Sequence, residues 1–436
     1  MRMRHEKSTQ LNQPVTTSRH RFDDISNFAG SEVQSVTALD RWLTRNLLSA
    51  IGNPPVAFRL WDGEDIIPAG LQAESVLKIN HRKALVKLCM DPEYNFGELY
   101  SSRDVDVEDN LVRFLRIVYS STYFKPKTIS AKILEYFQHH RSHSNSISRT
   151  RQNIYHHYDI GNDFYQQWLD RSAMQYTCAY FPDPAMTLEQ AQVAKMHHIC
   201  RKLKLEPGMS VVEAGCGWGG LALFMAKEYK VRVKAYNISH NQILFAREKA
   251  QAQDLCNEVE FIEDDYRNIQ GLYDRFVSVG MLEHIGINNY RELGRVIDRS
   301  LQEHGIGLIH TIGRNQPGLL NAWIEARIFP GACPPSLSQM MEVFEPFCFS
   351  VLDVENLRLH YARTLTHWLD RFDAGIEKFR KDYDDAFIRS WRLYLAGSTA
   401  AFEAGTMQLF QVVFTRPRNN QLAWSRSYLY PPDKTS

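Results

Sequence analysis

Residues 211–220 read VVEAGCGWGG, and the glycines at 215, 217, 219 and 220 crowd the junction between a strand-like apolar run and the helix-like LALFMAKEY. Glycine lets a backbone turn tightly and lets a ligand approach the chain closely. Such a loop belongs at the carboxyl end of a parallel strand, and the flanking sequence agrees. The amphipathic run AQVAKMHHICRKL is broken by Pro207-Gly208; strand-like SVVEAG, VRVKAYNI, EVEFIEDD, DRFVSVG and GIGLIHTI then alternate with helix-like NQILFAREKAQAQ and NYRELGRVIDRSL. Alternation of this kind predicts an α/β fold with a mostly parallel sheet covered on both faces. The late stretches 347–356 and 409–416 read as an antiparallel hairpin closing one edge.

The loop alone satisfies GxGxxG, a weak signal that also fits a dinucleotide. Two features turn it elsewhere. Glu213 lies two residues before the first glycine and suits a cationic ligand better than a pyrophosphate. The end of the second strand, AYNISHNQ, lacks the acid that meets a dinucleotide's ribose. S-adenosylmethionine fits both observations.

With 436 residues the chain is long enough for two domains, or three. Lys plus Arg (51) balances Asp plus Glu (50), so no global field favours nucleic acid. Seven scattered cysteines form no CxxC pair or Cys/His ligand spacing, which points to reduced thiols, a cytoplasmic location and no metal site. No apolar run approaches the length of a membrane span, so a lipid substrate must be met from outside the bilayer, by peripheral association with the inner membrane surface.

Along the chain, residues 1–25 read as a basic mobile arm with Arg2, Arg4, Lys7, Arg19 and Arg21. Residues 26–137 read as a small α+β accessory domain able to bury its own core. Leu39, Trp42, Leu43, Leu47 and Leu48 have helical spacing, and Asp62-Gly63 signals a hairpin. The polar run 138–151, QHHRSHSNSISRTR, reads as a linker, and 152–436 as the catalytic domain.

Region 150–415 resembles the cyclopropane-fatty-acyl-phospholipid synthase family, including its mycolic acid methyltransferase relatives. The likeness rests on HHYDIGNDFYQQWLD (156–170), MQYTCAYFPD (174–183), EAGCGWGGLA (213–222), VSVGMLEHIGINNY (277–290) and IHTIGRN (309–315). HYARTLTHWLDRF (360–372) and QLFQVVFTR (408–416) extend it. The resemblance implies a Rossmann-like class I methyltransferase sheet beside the N-terminal α+β domain, and an acyl-binding lid over about 313–345. It implies methyl transfer to the cis double bond of an unsaturated phospholipid acyl chain, through a carbocation, with bound bicarbonate as the base that allows a cyclopropane to close. Such a site must be apolar and must exclude water. By motif, the bicarbonate would meet the backbone of Cys178, the carboxylate of Glu283, His310, the Ile312 backbone and Tyr361. A lone buried His310 or Tyr361 is ordinarily a satisfied core residue, and only the joint motif overturns that reading.

The resemblance also implies cofactor contacts. Glu213, Gly215, Gly217 and Gly219 would face the methionine end with Tyr176 and Thr177, and Tyr158 would close over it. Asn237, Ser239 and Gln242 would meet the ribose; Asp265 and Tyr266 would flank the adenine. Trp323, Phe329, Phe164, Tyr165 and Trp168 are candidates to line an acyl tunnel. One departure is Ser398, where the family often carries a cysteine; a base that needs no thiol makes that cysteine dispensable. Alternatives are a methylene- or methyl-branched product from the same cation, a small-molecule N- or O-methyltransferase, and a non-catalytic lipid-binding relative. The oligomeric state is not legible in the sequence, and a homodimer is one candidate assembly.

Overall fold

The computed structural model describes residues 35–123 and 161–430, so the arm over 1–25, the linker over 138–151 and Tyr158 lie outside the described residues. Residues from Val36 onward belong to one unit.

Its first part holds α1 (Ala38–Ala50), β1 (Ala57–Arg59), β2 (Asp65–Ile66), β3 (Val76–Ile79), α2 (Arg82–Met90), α3 (Pro92–Ser101), β4 (Val105–Val107) and α4 (Leu111–Tyr123). The strands form a small sheet in the order β2-β1-β3-β4, with β1 and β2 antiparallel across the Asp62-Gly63 turn. Helix α1 departs from its sequence pattern. Leu39 and Trp42 are exposed at 62% and 58%, while Asp40 and Thr44 face inward. The reason is local chemistry. Asp40 closes a capping box with Thr37 and takes Arg82 from α2 at 2.7 and 2.8 Å, so its carboxylate is satisfied inside. The apolar spacing therefore predicts the helix and the inward Leu43, Leu47 and Leu48 correctly, but misplaces Leu39 and Trp42.

The second part holds α5 (Asn162–Gln166), α6 (Leu188–Lys202), β5 (Ser210–Ala214), α7 (Gly220–Tyr229), β6 (Arg232–Asn237), α8 (His240–Ala252), β7 (Val259–Glu263), β8 (Tyr273–Val279), α9 (Leu282–Ile285), α10 (Tyr290–Ser300) and β9 (Leu301–Gly313). There follow α11 (Ala322–Arg327), α12 (Leu337–Phe344), β10 (Ser350–Asn356), α13 (Arg358–Phe379), α14 (Asp385–Glu403) and β11 (Gln408–Thr415). The seven strands run in the order β10-β11-β9-β8-β5-β6-β7. The pairs from β9 to β7 are parallel, and β11 pairs antiparallel with both β9 and β10.

The edge is antiparallel as expected, but β10 and β11 are not a hairpin, because α13 and α14 intervene in the chain. Strand β11 is buried along its whole length between its neighbours, which is why it reads as an unbroken apolar run with two inward glutamines. Of the stretch 313–345 expected as a lid, Leu337–Phe344 is α12, packed against α10 through buried Met340, Val343 and Phe344.

The apolar core of the first part does not stand alone. Leu47, Phe58, Leu77, Leu99 and Phe114 run on into Trp368 of α13 and Trp391 of α14 as one cluster. Polar contacts seal the same seam: Arg389 donates to the Tyr100 carbonyl at 2.6 Å with its guanidinium 4.1 Å from that ring's centre, and the Ser101 and Ser390 hydroxyls lie 2.8 Å apart.

Candidate active site

The glycine loop turns at the carboxyl end of β5, where Gly215 and Cys216 both donate to the Tyr236 carbonyl at the end of β6, at 2.9 and 3.0 Å. Gly219 has φ of 81°, and a Cβ there would stand 2.6 Å from the Phe261 ring, so both conformation and space demand glycine. Above the loop lies an open cavity. Tyr176, Thr177, Glu213, Gly215, Gly217, Asn237, Gln242, Asp265 and Tyr266 line it, as the motifs imply. Gly219 and Ser239 stand behind its wall: the first packs under Phe261, and the second is the N-cap of α8, its N–H given to Asn237 Oδ1 at 3.3 Å. Asp265 is largely spent, since Arg267 grips both of its oxygens at 2.7 and 2.8 Å.

Glu213 is 2% exposed, and its Oε2 has no hydrogen-bond partner. Burial pushes its carboxyl up to about 8 against the opposing pull of Lys195. Lys195, reaching in from α6, is fully buried, donates to Gln175 Oε1 and, at 2.9 Å, to Thr177 Oγ1, and is drawn down to about 8 by the same desolvation. An orphaned carboxylate oxygen in a cavity wall is an unmet demand for a cation. S-adenosylmethionine carries an ammonium and a sulfonium, so the residues fit it.

A second, smaller cavity shares Tyr176, Thr177, Gly280 and His284 with the first. Cys178, Glu283, His310, Ile312 and Tyr361, drawn from four separate segments, all line it, and Ser398 lines it too. Glu283, on α9 and 4% exposed, accepts the Thr311 hydroxyl on Oε2 at 2.7 Å and the Ile312 N–H on Oε1 at 3.3 Å. That N–H therefore reaches a third group only by sharing its bond. His310 stands opposite Gln411 in the β9–β11 register, and Gln411 Nε2 donates to its Nδ1 at 3.0 Å. Burial keeps the ring neutral by pulling its pKa well below the usual histidine range. Burial raises the Cys178 thiol far above its ordinary range, so the site holds no thiolate there.

Four residues escape the sequence reading. Thr311 and Gln411 orient Glu283 and His310; His284 lines both cavities; and Tyr394 bonds the Tyr176 hydroxyl at 2.8 Å. Thr311 sits inside IHTIG and was within reach, whereas Gln411 and Tyr394 become visible only through strand register and helix placement. Of the five tunnel aromatics, Phe329 lines the second cavity. Phe164, Tyr165 and Trp168 are instead core, in ring contact with Trp391 at 5.0, 6.2 and 6.1 Å, because α5 packs under α13 and α14.

Trp323 lies elsewhere. It sits on Gly97 of α3, where a Cβ would come within 2.3 Å of its ring, and donates its indole N–H to Glu98 at 3.0 Å. Arg327 adds two bonds to Glu98 at 2.9 and 2.7 Å, and Glu93 takes the Ala322 N–H at 3.1 Å. Helix α11, two residues ahead of Phe329, is thus seated by the N-terminal part. Among the described residues no cluster of His, Cys, Asp and Glu suits a metal ion, and no helix is long and apolar enough to cross a membrane.

This sheet order, with the glycine loop after the interior strand β5 and an unpartnered acid in the cavity wall, marks the fold and cofactor site of a class I S-adenosylmethionine-dependent methyltransferase. Residues 145–412 match the family model described as mycolic acid cyclopropane synthetase. The cyclopropane-fatty-acyl-phospholipid synthase of Escherichia coli (strain K12) is 43% identical over 271 residues, 62% of this chain and 69% of that one. A probable fatty acid methyltransferase of Pseudomonas putida is 33% identical over 389 residues, 86% of this chain and 96% of that one. The solved mycolic acid cyclopropane synthase CmaA1, complexed with SAH and CTAB, superposes with a TM-score of 0.58 at 29% identity, covering 61% of this chain and 98% of that one. The chain belongs to the mycolic acid cyclopropane synthetase family.

Proposed function

We propose that the protein methylates the cis double bond of an unsaturated phospholipid acyl chain and closes a cyclopropane, acting peripherally at a membrane. The observation that carries this reading is the second cavity, where Glu283, His310, Tyr361, Cys178 and Ile312 converge beside the cofactor cavity. When bound, S-adenosylmethionine supplies an electrophilic methyl group and bicarbonate supplies the base.

The chain's own residues supply the rest. Glu213 answers the cofactor's positive charge, and Asn237 and Gln242, bonded to each other at 2.8 Å, offer amides to its ribose. Neutral His310 and Tyr361 donate to the anion, as does the Cys178 N–H. Glu283, whose oxygens are steadied by Thr311 and Ile312, accepts the anion's proton and so turns its basic oxygen outward. Phe329, Tyr394 and Phe402 face the same space and keep water from a cation on the acyl chain. Ser398 needs no role as a nucleophile. The names of the Escherichia coli and Pseudomonas putida relatives support an acyl acceptor.

The test is incubation with unsaturated phospholipid vesicles and methyl-labelled cofactor, followed by mass spectrometry and NMR of the acyl chains. Cyclopropane methylene signals carrying label are expected. Labelled exomethylene or methyl-branch signals would replace the product assignment, and label absent from lipid would sink the reading.

A further inference from the structure

The N-terminal part lies outside the family match over 145–412, and its α1 and α2 present an apolar surface that nothing covers among the described residues. Leu39 and Trp42 on α1 are exposed at 62% and 58%, and Val86 and Met90 on α2 at 40% and 78%. These side chains share one face. Arg82 reaches Asp40, and the Cys89 thiol lies 4.0 Å from the Leu43 carbonyl, so the helices touch along the 82/89 and 40/43 stripes. At 100° per residue, Leu39 and Trp42 stand on the solvent side of the α1 stripe, and Val86 and Met90 on the solvent side of the α2 stripe. Leu39 and Val86 flank the groove between the helices, and Trp42 and Met90 stand farther round the exposed faces, so the four make one apolar ridge.

The charged side chains that α1 and α2 themselves present on their outer flanks are basic, although exposed Asp91 follows Met90 at the end of α2. Arg45 borders it on the outer flank of α1, and Lys83 and Lys87 on the outer flank of α2. The single acid on either helix, Asp40, is buried and spent on Arg82. Neither Arg45 nor Lys87 has an acidic partner among the described residues. Apolar side chains including a tryptophan, flanked on both helices by Arg45, Lys83 and Lys87, match the acyl and headgroup layers of an anionic leaflet. A second copy of the chain fits worse, because a two-fold contact through this face would set cations against cations.

We propose that the joint outer face of α1 and α2 docks the protein on an anionic phospholipid bilayer. The proposal rests on the reading that the acceptor is a lipid chain, and it names the surface by which the enzyme reaches it. Docking needs no spanning helix: the ridge enters the headgroup region and the lysines and arginine stay with the phosphates.

The test uses the full chain and sucrose-loaded vesicles of phosphatidylcholine with or without phosphatidylglycerol. Co-sedimentation is measured for the wild type, W42E/M90E and R45E/K87E, with circular dichroism and cofactor affinity as checks on folding. Wild type should prefer anionic vesicles, and each double variant should bind them on the order of tenfold more weakly or worse, while turnover of detergent-dispersed acyl substrate is kept. If W42E/M90E fails to fold, L39S/V86S makes the same test. Variants that sediment with vesicles as wild type does would overturn the proposal. So would a W42E/M90E chain that loses a dimer in sedimentation velocity and keeps its vesicle binding. The binding assay needs no turnover, so wild type that binds vesicles through this face and labels no lipid refutes the acyl-acceptor reading alone.

Discussion

Glu213 brings a carboxylate into a wall where Lys195 is the nearest cationic influence and one carboxylate oxygen has no partner. Its pKa, raised to about 8, means that it is mostly protonated at neutral pH before a cation arrives. A bound cation favours the ionised form, so binding lowers that pKa and expels a proton. S-adenosylmethionine affinity should therefore rise with pH between about 6.5 and 8 and level off above, by at most about tenfold per pH unit. Lys195, drawn down to about 8, loses its charge over the same window and acts with the same sign. Calorimetry in buffers of different ionisation enthalpy reads the released proton, and Glu213→Gln should flatten the profile and weaken binding by roughly tenfold. In the second cavity, Glu283→Gln or Tyr361→Phe should cut turnover by about 10²–10⁴ in single-turnover assays, with cofactor affinity unchanged. Gln411→Leu strips His310 Nδ1 of its donor and should slow turnover by about tenfold, with Gln411→Asn recovering part of the rate. The primary cradle was legible because it falls in contiguous motifs. Gln411 was not, since only the β9–β11 register sets it opposite His310.

Among the elements, the parallel strands, their helices and the antiparallel sense of the edge were readable, while the connection of the edge strands was not. A run such as LFQVVFT has no alternation to say which neighbour it joins, and β11 enters between β10 and β9 after two helices rather than by a turn. Helix α1 misled for a different reason, because an inward aspartate is tolerable only with Arg82 at hand, 42 residues later. The seat of α11 on α3 is equally non-local and yields a sharp expectation. Gly97→Ala drives a methyl into the Trp323 ring, and Glu98→Ala removes the acceptor of Trp323 and Arg327; each should cost about 1–3 kcal/mol. Hydrogen exchange should show residues 322–329 losing protection first, with a higher KM for acyl substrate and little change for the cofactor, because Phe329 ends that segment.

Across the whole molecule, a self-sufficient accessory domain is what the composition of 26–137 suggests, yet the apolar cluster passes unbroken from Leu47 and Phe114 to Trp368 and Trp391. Calorimetric melting should accordingly give one cooperative transition for the residues from Val36 on; two separated transitions would show that the shared core contributes little coupling. Domain edges escape sequence reading because a seam of tryptophans and leucines has the same composition as an interior. The notch at Gly97 carries this further, into inheritance and engineering. Catalytic residues excised from the rest would bear an α11 with a bare indole and a guanidinium stripped of its carboxylate. A lineage that discards the N-terminal part must redress that helix in the same step, and a chimera that swaps one without the other should be built with both sides of the notch from a single parent.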